Sequence, residues 1–325
     1  MRLQQWQEDK EQGYGHNGPK GTFKLDIIPN EKSLFEILAE NLKKANYEYD
    51  ITIPWYIMVS RENGKDTIDF FEKNSYFDYP KSSVKFFKQS ELPLITEKGE
   101  FLIDENYKIK EAADGNGGIF ASMRKAGIID ELKEKGIEWV FIGAVDNPLL
   151  NMSDEILLGV AIAQNTLIAS KSVVKAFPEE PVGVFCMQNK KVKVIEYTEL
   201  PKKFSTAVDE NGELLFGEAH IMCNLFNTKA LEKISNEKLI YHKAFKKATY
   251  MNLDGEIIKP ENPNAYKFEA FIFDSFEFFN DISILRGKRE DDFAPVKNAT
   301  GNDSPETAKK LYNDFVLRNR EKAEV

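Results

Sequence analysis

Residues 115–120 read GNGGIF, with three glycines just ahead of a segment of helical periodicity. Glycines there let the backbone approach a ligand closely, and a helix N-terminus favours an anion. A plain loop with turn glycines would look the same. Asp146 stands in GAVDNP, directly after the apolar run IEWVFIGAV at 137–145. In open α/β sheets, ligands gather outside the carboxyl ends of strands. A carboxylate there suits Mg²⁺, which takes one or two carboxylates together with phosphate oxygens. The competing role is a cap for a helix starting near Ser153, but Asp146 lies well upstream of it. Lys20 sits between Pro19 and Gly21, in a stiffened turn that could aim an ammonium at a phosphate, and Lys297 follows the acidic run REDD. For either lysine taken alone, a solvated surface position is the default expectation. His16, His220 and His242 have no metal-ligand spacing, and His220 fits a packing or hydrogen-bonding role. Neither a G-x-S-x-G elbow nor a G-x-x-x-x-G-K-[ST] loop occurs.

The elements that must position these residues alternate. Strand signals fall at 51–60 (ITIPWYIMVS), 83–89 (SVKFFKQ) and 137–145, with helical patterns at 67–74 and 119–135, the latter stopped by Gly136. That alternation predicts an α/β fold with a Rossmann-like, mixed but mostly parallel sheet covered by helices on both faces. The middle departs from it: VGVFCM (182–187), a turn at Asn189, and KVKVIEY (191–197) predict a β-hairpin inside a β-rich insertion. Helices are expected at 228–237, 269–280 and 304–322.

With 44 basic and 53 acidic residues the chain carries a net charge of −9, which argues against a broad nucleic-acid or membrane-surface footprint while permitting a local basic pocket. Two cysteines, Cys186 and Cys223, cannot form a disulfide framework. No signal peptide and no apolar run long enough to span a bilayer is evident, so the expected location is cytoplasmic.

Read in order, the blocks GPKGTF (18–23), PWYIMVS (54–60), FFKQSELP (86–93), ADGNGG (113–118), GAVDN (143–147), EPVGVF (180–185), VIEYTEL (194–200), AHIMCNLF (219–226), YKFEAFIFDSF (266–276) and REDDFAPVKNATG (289–301) resemble the eukaryotic-type UDP-sugar pyrophosphorylases. The last two blocks look more like the N-acetylhexosamine branch than the UDP-glucose branch. The resemblance implies a catalytic domain over 18–301 flanked by a polar stretch at 1–17 and a C-terminal helix at 302–325. It implies transfer of uridylyl from UTP to a sugar-1-phosphate with Mg²⁺ as cofactor and release of pyrophosphate, with protein groups supplying position and charge. Carried residue by residue, Gln89 and Gly115 resemble the uracil-reading positions. Asn116, Gly183, Glu196 and Asn224 resemble the positions that meet the sugar hydroxyls and acetamido group. Asp146 resembles the metal carboxylate, and Lys20, Lys267 and Lys297 resemble the phosphate lysines. Three placements follow as expectations: Asp146 facing an open cleft toward Asn116 and Lys297, Glu196 close to Asn224, and Gly183 beside them.

The sequence also departs from that family. Ahead of GPKG stands WQEDKEQGYGHN rather than an apolar strand and a loop close to L-A-G-G-x-G-T-R-L-G, position 90 is Ser where Gly is usual, and the small C-terminal domain has no counterpart. A truncated or mis-started enzyme and a catalytically inactive sugar-nucleotide-binding homologue are both compatible with these departures, as is a UDP-glucose sibling. Because one charge-stabilising donor is commonly worth about 10²–10³ in rate, the missing loop predicts a chain of low stability and strongly reduced turnover.

Overall fold

The computed structural model describes residues 16–323. Residues 1–15 of the polar N-terminal stretch, including most of the segment WQEDKEQGYGHN, lie outside the described residues.

Helix α1 (Leu34–Tyr49) starts at a capping box: the Ser33 hydroxyl accepts the Glu36 N–H, and the Glu36 carboxylate reaches back to the Ser33 N–H. This satisfies two of the donors that a helix start leaves open. Strand β1 (Trp55–Val59) is buried along its whole length. Trp55, Ile57 and Val59 join one apolar cluster with Leu34, Phe35 and Leu38 of α1, whereas Tyr56 and Met58 join a second cluster on the opposite face. A continuous apolar run therefore reads as period two once both faces are covered. Helix α2 (Gly64–Lys73) follows, and β2 (Val84–Lys88) pairs with β1 in parallel, Trp55 opposite Val84.

The helical pattern at 119–135 is two helices, α3 (Ile119–Lys125) and α4 (Ile128–Glu134). Gly127, at φ +70°, breaks them apart by adopting a left-handed conformation that a continuing helix cannot contain. Strand β3 (Trp139–Gly143) leads to Asp146; α5 (Glu155–Ala163) is capped by Asp154, not Asp146. Next come β4 (Ile168–Val174), the hairpin β5 (Val184–Gln188) and β6 (Lys191–Ile195), the long β7 (Glu218–Asn227) and α6 (Thr228–Ile234). The hairpin turns at Asn189 and Lys190, both at positive φ, as a tight two-residue turn requires. Strands β8 (His242–Lys246) and β9 (Ala265–Glu269) form an antiparallel pair in a small satellite layer. Strand β10 (Ser283–Arg286), α7 (Arg289–Asp292) and α8 (Pro305–Ala323) complete the described chain.

The main sheet runs β6-β5-β7-β4-β10, with β3 also paired to β7. This corrects the expected parallel character: in that sheet only β4 and β10 pair in parallel, while β7 runs antiparallel to β3, β4 and β5. The reason lies in β7, which enters from the inserted hairpin region rather than from a crossover helix. Its register with β4 shifts between His220 and Asn224, where Met222 sits at φ +56°. The bulge lets one strand serve β5 at its start and β3 at its end. The helix expected at 269–280 is instead the end of β9 followed by a 3-10 helix, Ile272–Phe278. Among the described residues no helix is long and apolar enough to cross a membrane.

Candidate functional site

Gln89 follows β2, and its main-chain N–H donates to the Val59 carbonyl at 2.9 Å, continuing the β1–β2 pairing. The side chain is buried. Its Nε2 donates to Asp114 Oδ1 at 3.1 Å and to the Gly115 carbonyl at 2.7 Å. Both partners are acceptors, so the amide can stand only one way round and Oε1 must be the free end. That oxygen is buried without a partner.

Gly115 has φ +83°, and a Cβ added there would lie 2.4 Å from the Ala270 carbonyl oxygen. The close approach is sealed by Ala270 N–H to Asp114 O at 2.8 Å and Gly117 N–H to Ala270 O at 2.7 Å. Asn116 adds a third tie, its Oδ1 accepting the Ile272 N–H, while its Nδ2 faces Met222 Sδ at 3.9 Å. The glycine-rich loop is thus strapped to the start of the 3-10 helix 272–278, which sequence periodicity cannot show.

Asn224 lies in β7 with no exposed surface. Its Oδ1 accepts from the Ser170 hydroxyl at 2.8 Å and pairs with His220 Nε2 at 2.9 Å; its Nδ2 is buried without a partner. His220 is packed edge-on against Phe185 and Phe273, and burial pushes it down to about 4. It therefore stays neutral and serves structure, holding the Asn224 amide in place. The His220 main-chain N–H donates to the Gly183 carbonyl at 2.8 Å, and a Cβ on Gly183 would come 3.3 Å from Glu196 Oε2. Gly183, His220 and Asn224 are linked by hydrogen bonds, and Glu196 lies beside Gly183. Burial raises the Glu196 carboxyl to about 7, helped by neighbouring Glu199 and opposed by Lys297 and His242.

The Asp146 carboxylate lies 3.0 Å from the Lys20 ammonium in a largely buried pair. Burial lowers Lys20 to about 8 although Asp146 pulls the other way. The Asp146 carbonyl accepts the Val296 N–H at 2.9 Å, and the Asn147 side chain ties to Asp292 O and Ala294 N. The segment carrying Lys297 is laced to the end of β3 in this way. Lys297 lies 3.5 Å from Asp303 and over the Phe293 ring, and its charge is felt at both Lys20 and Glu196. Lys267, buried on β9, lies 3.3 Å from Glu269. Asp146 thus has Lys20 as a direct neighbour.

Two elements of this region carry no sequence signal. His242 bridges Glu199 and Asp274, 43 and 32 positions away. Arg289 grips both carboxylate oxygens of Glu180, whose Oε2 also accepts the Ala176 N–H, just ahead of Gly183. Elsewhere, a polar depression of about 560 Å³ between residues 164–167 and 279–282 offers Asp281 as its one ionisable lining residue. It cannot gather polyphosphate charge.

A mixed sheet with accompanying helices, a glycine loop beside a locked amide, and lysines near a strand-end carboxylate define a nucleotide-sugar transferase-like class of protein. The family model described as UTP--glucose-1-phosphate uridylyltransferase matches residues 11–304, and the chain belongs to that family. It is 37% identical over 326 residues to a Dictyostelium discoideum protein named "Probable UDP-N-acetylglucosamine pyrophosphorylase", covering 93% of this chain and 67% of the relative. It is 33% identical to the mouse UDP-N-acetylhexosamine pyrophosphorylase-like protein 1, covering 90% of this chain and 60% of that one. The crystal structure of a Trypanosoma brucei uridine diphosphate N-acetylglucosamine pyrophosphorylase, determined with an inhibitor, superposes with a TM-score of 0.81 at 31% identity, over 95% of this chain and 65% of the other. The chain thus spans about two thirds of the length of these relatives.

Proposed function

We propose that the chain binds UTP and an N-acetylhexosamine-1-phosphate and joins them as a UDP-N-acetylhexosamine, releasing pyrophosphate. The observation that carries this reading is the pair of orphaned amide atoms. Buried polar groups are nearly always satisfied, and each exception asks for a partner. Gln89 Oε1, left as the open acceptor of a locked amide, suits the N3–H of a uracil ring. Asn224 Nδ2, an orphaned donor, suits a sugar hydroxyl or acetamido oxygen. A third orphan, Thr67 Oγ1, lies on α2. The naming of the relatives supports the sugar class.

In the proposed reaction a sugar-1-phosphate oxygen attacks the α-phosphorus of UTP and pyrophosphate leaves. Gly115 lets the backbone lie against the base, and Gln89 orients it. Glu196 accepts from sugar hydroxyls, with Gly183 and Asn116 shaping the same side. Lys20, Lys267 and Lys297 offset phosphate charge, which an acidic chain must do with local cations. At Asp146 a cation, the Lys20 ammonium, already lies against the carboxylate. A single strand-end carboxylate fits Mg²⁺ that shares phosphate oxygens and water. Held there, the ion would neutralise charge that develops on the phosphates. The cytoplasmic location belongs to the same proposal.

The test is pyrophosphate release from UTP with Mg²⁺ and either N-acetylglucosamine-1-phosphate or glucose-1-phosphate. Turnover favouring the acetamido sugar is expected. A preference for glucose-1-phosphate would move the chain to the UDP-glucose reading. Calorimetric binding of UDP-sugar without turnover would leave a sugar-nucleotide-binding protein.

A further inference from the structure

His242, on β8, has a carboxylate at each ring nitrogen. Nδ1 lies 2.6 Å from Glu199 Oε1, and Nε2 lies 3.2 Å from both oxygens of Asp274. A neutral imidazole has one N–H and could serve only one of them; the doubly donating imidazolium serves both. The hydrogen bond to Asp274, with that to Glu199, raises the ring to about 9 against the effect of burial. The ring also lies 4.8 Å from the Phe271 ring.

The two carboxylates belong to different sides of the candidate site. Glu199 is in the turn that leaves β6, where the N–H groups of Glu199 and Leu200 both donate to the Glu196 carbonyl at 2.9 and 3.1 Å. Asp274 is in the 3-10 helix 272–278, and its Oδ2 accepts the Phe271 N–H at 2.8 Å. That helix start receives Asn116 at Ile272 and, two residues earlier, continues from Ala270, which holds the glycine loop. Remaining charges around the ring are Glu196, whose carboxyl senses His242, Glu269, its cross-strand partner on β9, and Lys243 beside it.

We propose that His242 is a positioning residue, a bridge that holds the Glu196 turn at a set distance from the loop of Gly115, so that the sugar-facing and uridine-facing groups engage one ligand together. The proposal rests on the reading that Glu196 faces the sugar. It separates two kinds of affinity: the uridine groups are braced by Gln89, Asp114 and Ala270 without His242, whereas the Glu196 turn reaches the nucleotide loop through it.

The experiment is calorimetric titration of the full chain with UDP and with UDP-N-acetylglucosamine, for the wild type, His242→Gln, Glu199→Gln and the double variant. The bridge predicts UDP affinity within about two-fold of wild type in every variant. It predicts UDP-N-acetylglucosamine binding weakened about ten-fold by either single change, the scale of one charge-assisted hydrogen bond. The double variant should be no weaker than the weaker single, because both changes break one link. Equal weakening for UDP and UDP-sugar, no change for either, or additive losses in the double variant would overturn the proposal. Should His242→Gln fail to fold by circular dichroism, Glu199→Gln carries the test, since Glu199 is half exposed. A wild type that binds UDP but gains nothing from the sugar refutes the sugar-facing role of Glu196 first, and the bridge with it.

Discussion

Replacing Gln89 by Glu changes one atom and tests the logic of the locked amide. In the wild type, Nε2 donates to Asp114 Oδ1 and to the Gly115 carbonyl, and the residue is 6% exposed. A carboxylate would set an oxygen against two acceptors, one of them charged. The side chain escapes by taking a proton, and holding a carboxyl of ordinary pKa near 4.3 protonated at pH 7 costs about 4 kcal/mol. The protonated form has one O–H for two acceptors, so one is left short at about 1–3 kcal/mol. The sum, roughly 5–7 kcal/mol, is comparable with the whole stability of many domains, about 5–15 kcal/mol. The sign of the pH dependence follows. A carboxyl whose pKa is raised on folding costs more as pH rises, so the variant's deficit should shrink by about 2.7 kcal/mol between pH 7.5 and 5.5. Urea unfolding of both proteins at the two pH values measures this, and the difference between them cancels the titrations they share. A Gln89→Glu protein as stable as the wild type at pH 7.5, or a deficit that does not move with pH, would refute the reasoning.

Gly115→Ala should destabilise by about 2–4 kcal/mol and weaken UDP binding, because φ +83° and a Cβ 2.4 Å from the Ala270 oxygen force the loop to move; a thermal melt and UDP titration check both. His220, held near 4 against 6.5 when unfolded, should make stability fall as pH drops from about 6.5 to about 4, by up to about 3 kcal/mol. His220→Phe should flatten that part of the stability–pH curve relative to wild type. With Glu196 raised to about 7, affinity for UDP-N-acetylglucosamine should climb as pH passes from 6 to 8 and the carboxylate forms, whereas Glu196→Gln should show a flat profile in the same titration.

The local elements were legible because local rules govern them. The apolar run at 55–59, the acceptor-rich turn at Asn189 and the 305–323 helix follow from periodicity and turn chemistry, and the tertiary structure keeps them close to where they were expected. The family resemblance, carried on blocks of sequence, agrees with the family that the comparisons show. The direction of the main sheet was not legible. Strand pairing depends on which edges meet after a long excursion, and the bulge at Met222 that lets β7 serve three neighbours has no period to announce it. Nor could periodicity separate the aromatic run of residues 272–278 as a 3-10 helix from an α-helix, since the fold pins its start to Asn116, 156 positions earlier. Residue types by themselves determined that amides, carboxylates and lysines suited to a nucleotide sugar were present. Only the tertiary structure decided which atoms of those groups are satisfied by the protein and which are left over, because a hydrogen bond is short and directional and its partners here come from distant parts of the chain. Gln89 Oε1 and Asn224 Nδ2 are left over for that reason, and His242 acquires its two carboxylates for the same one.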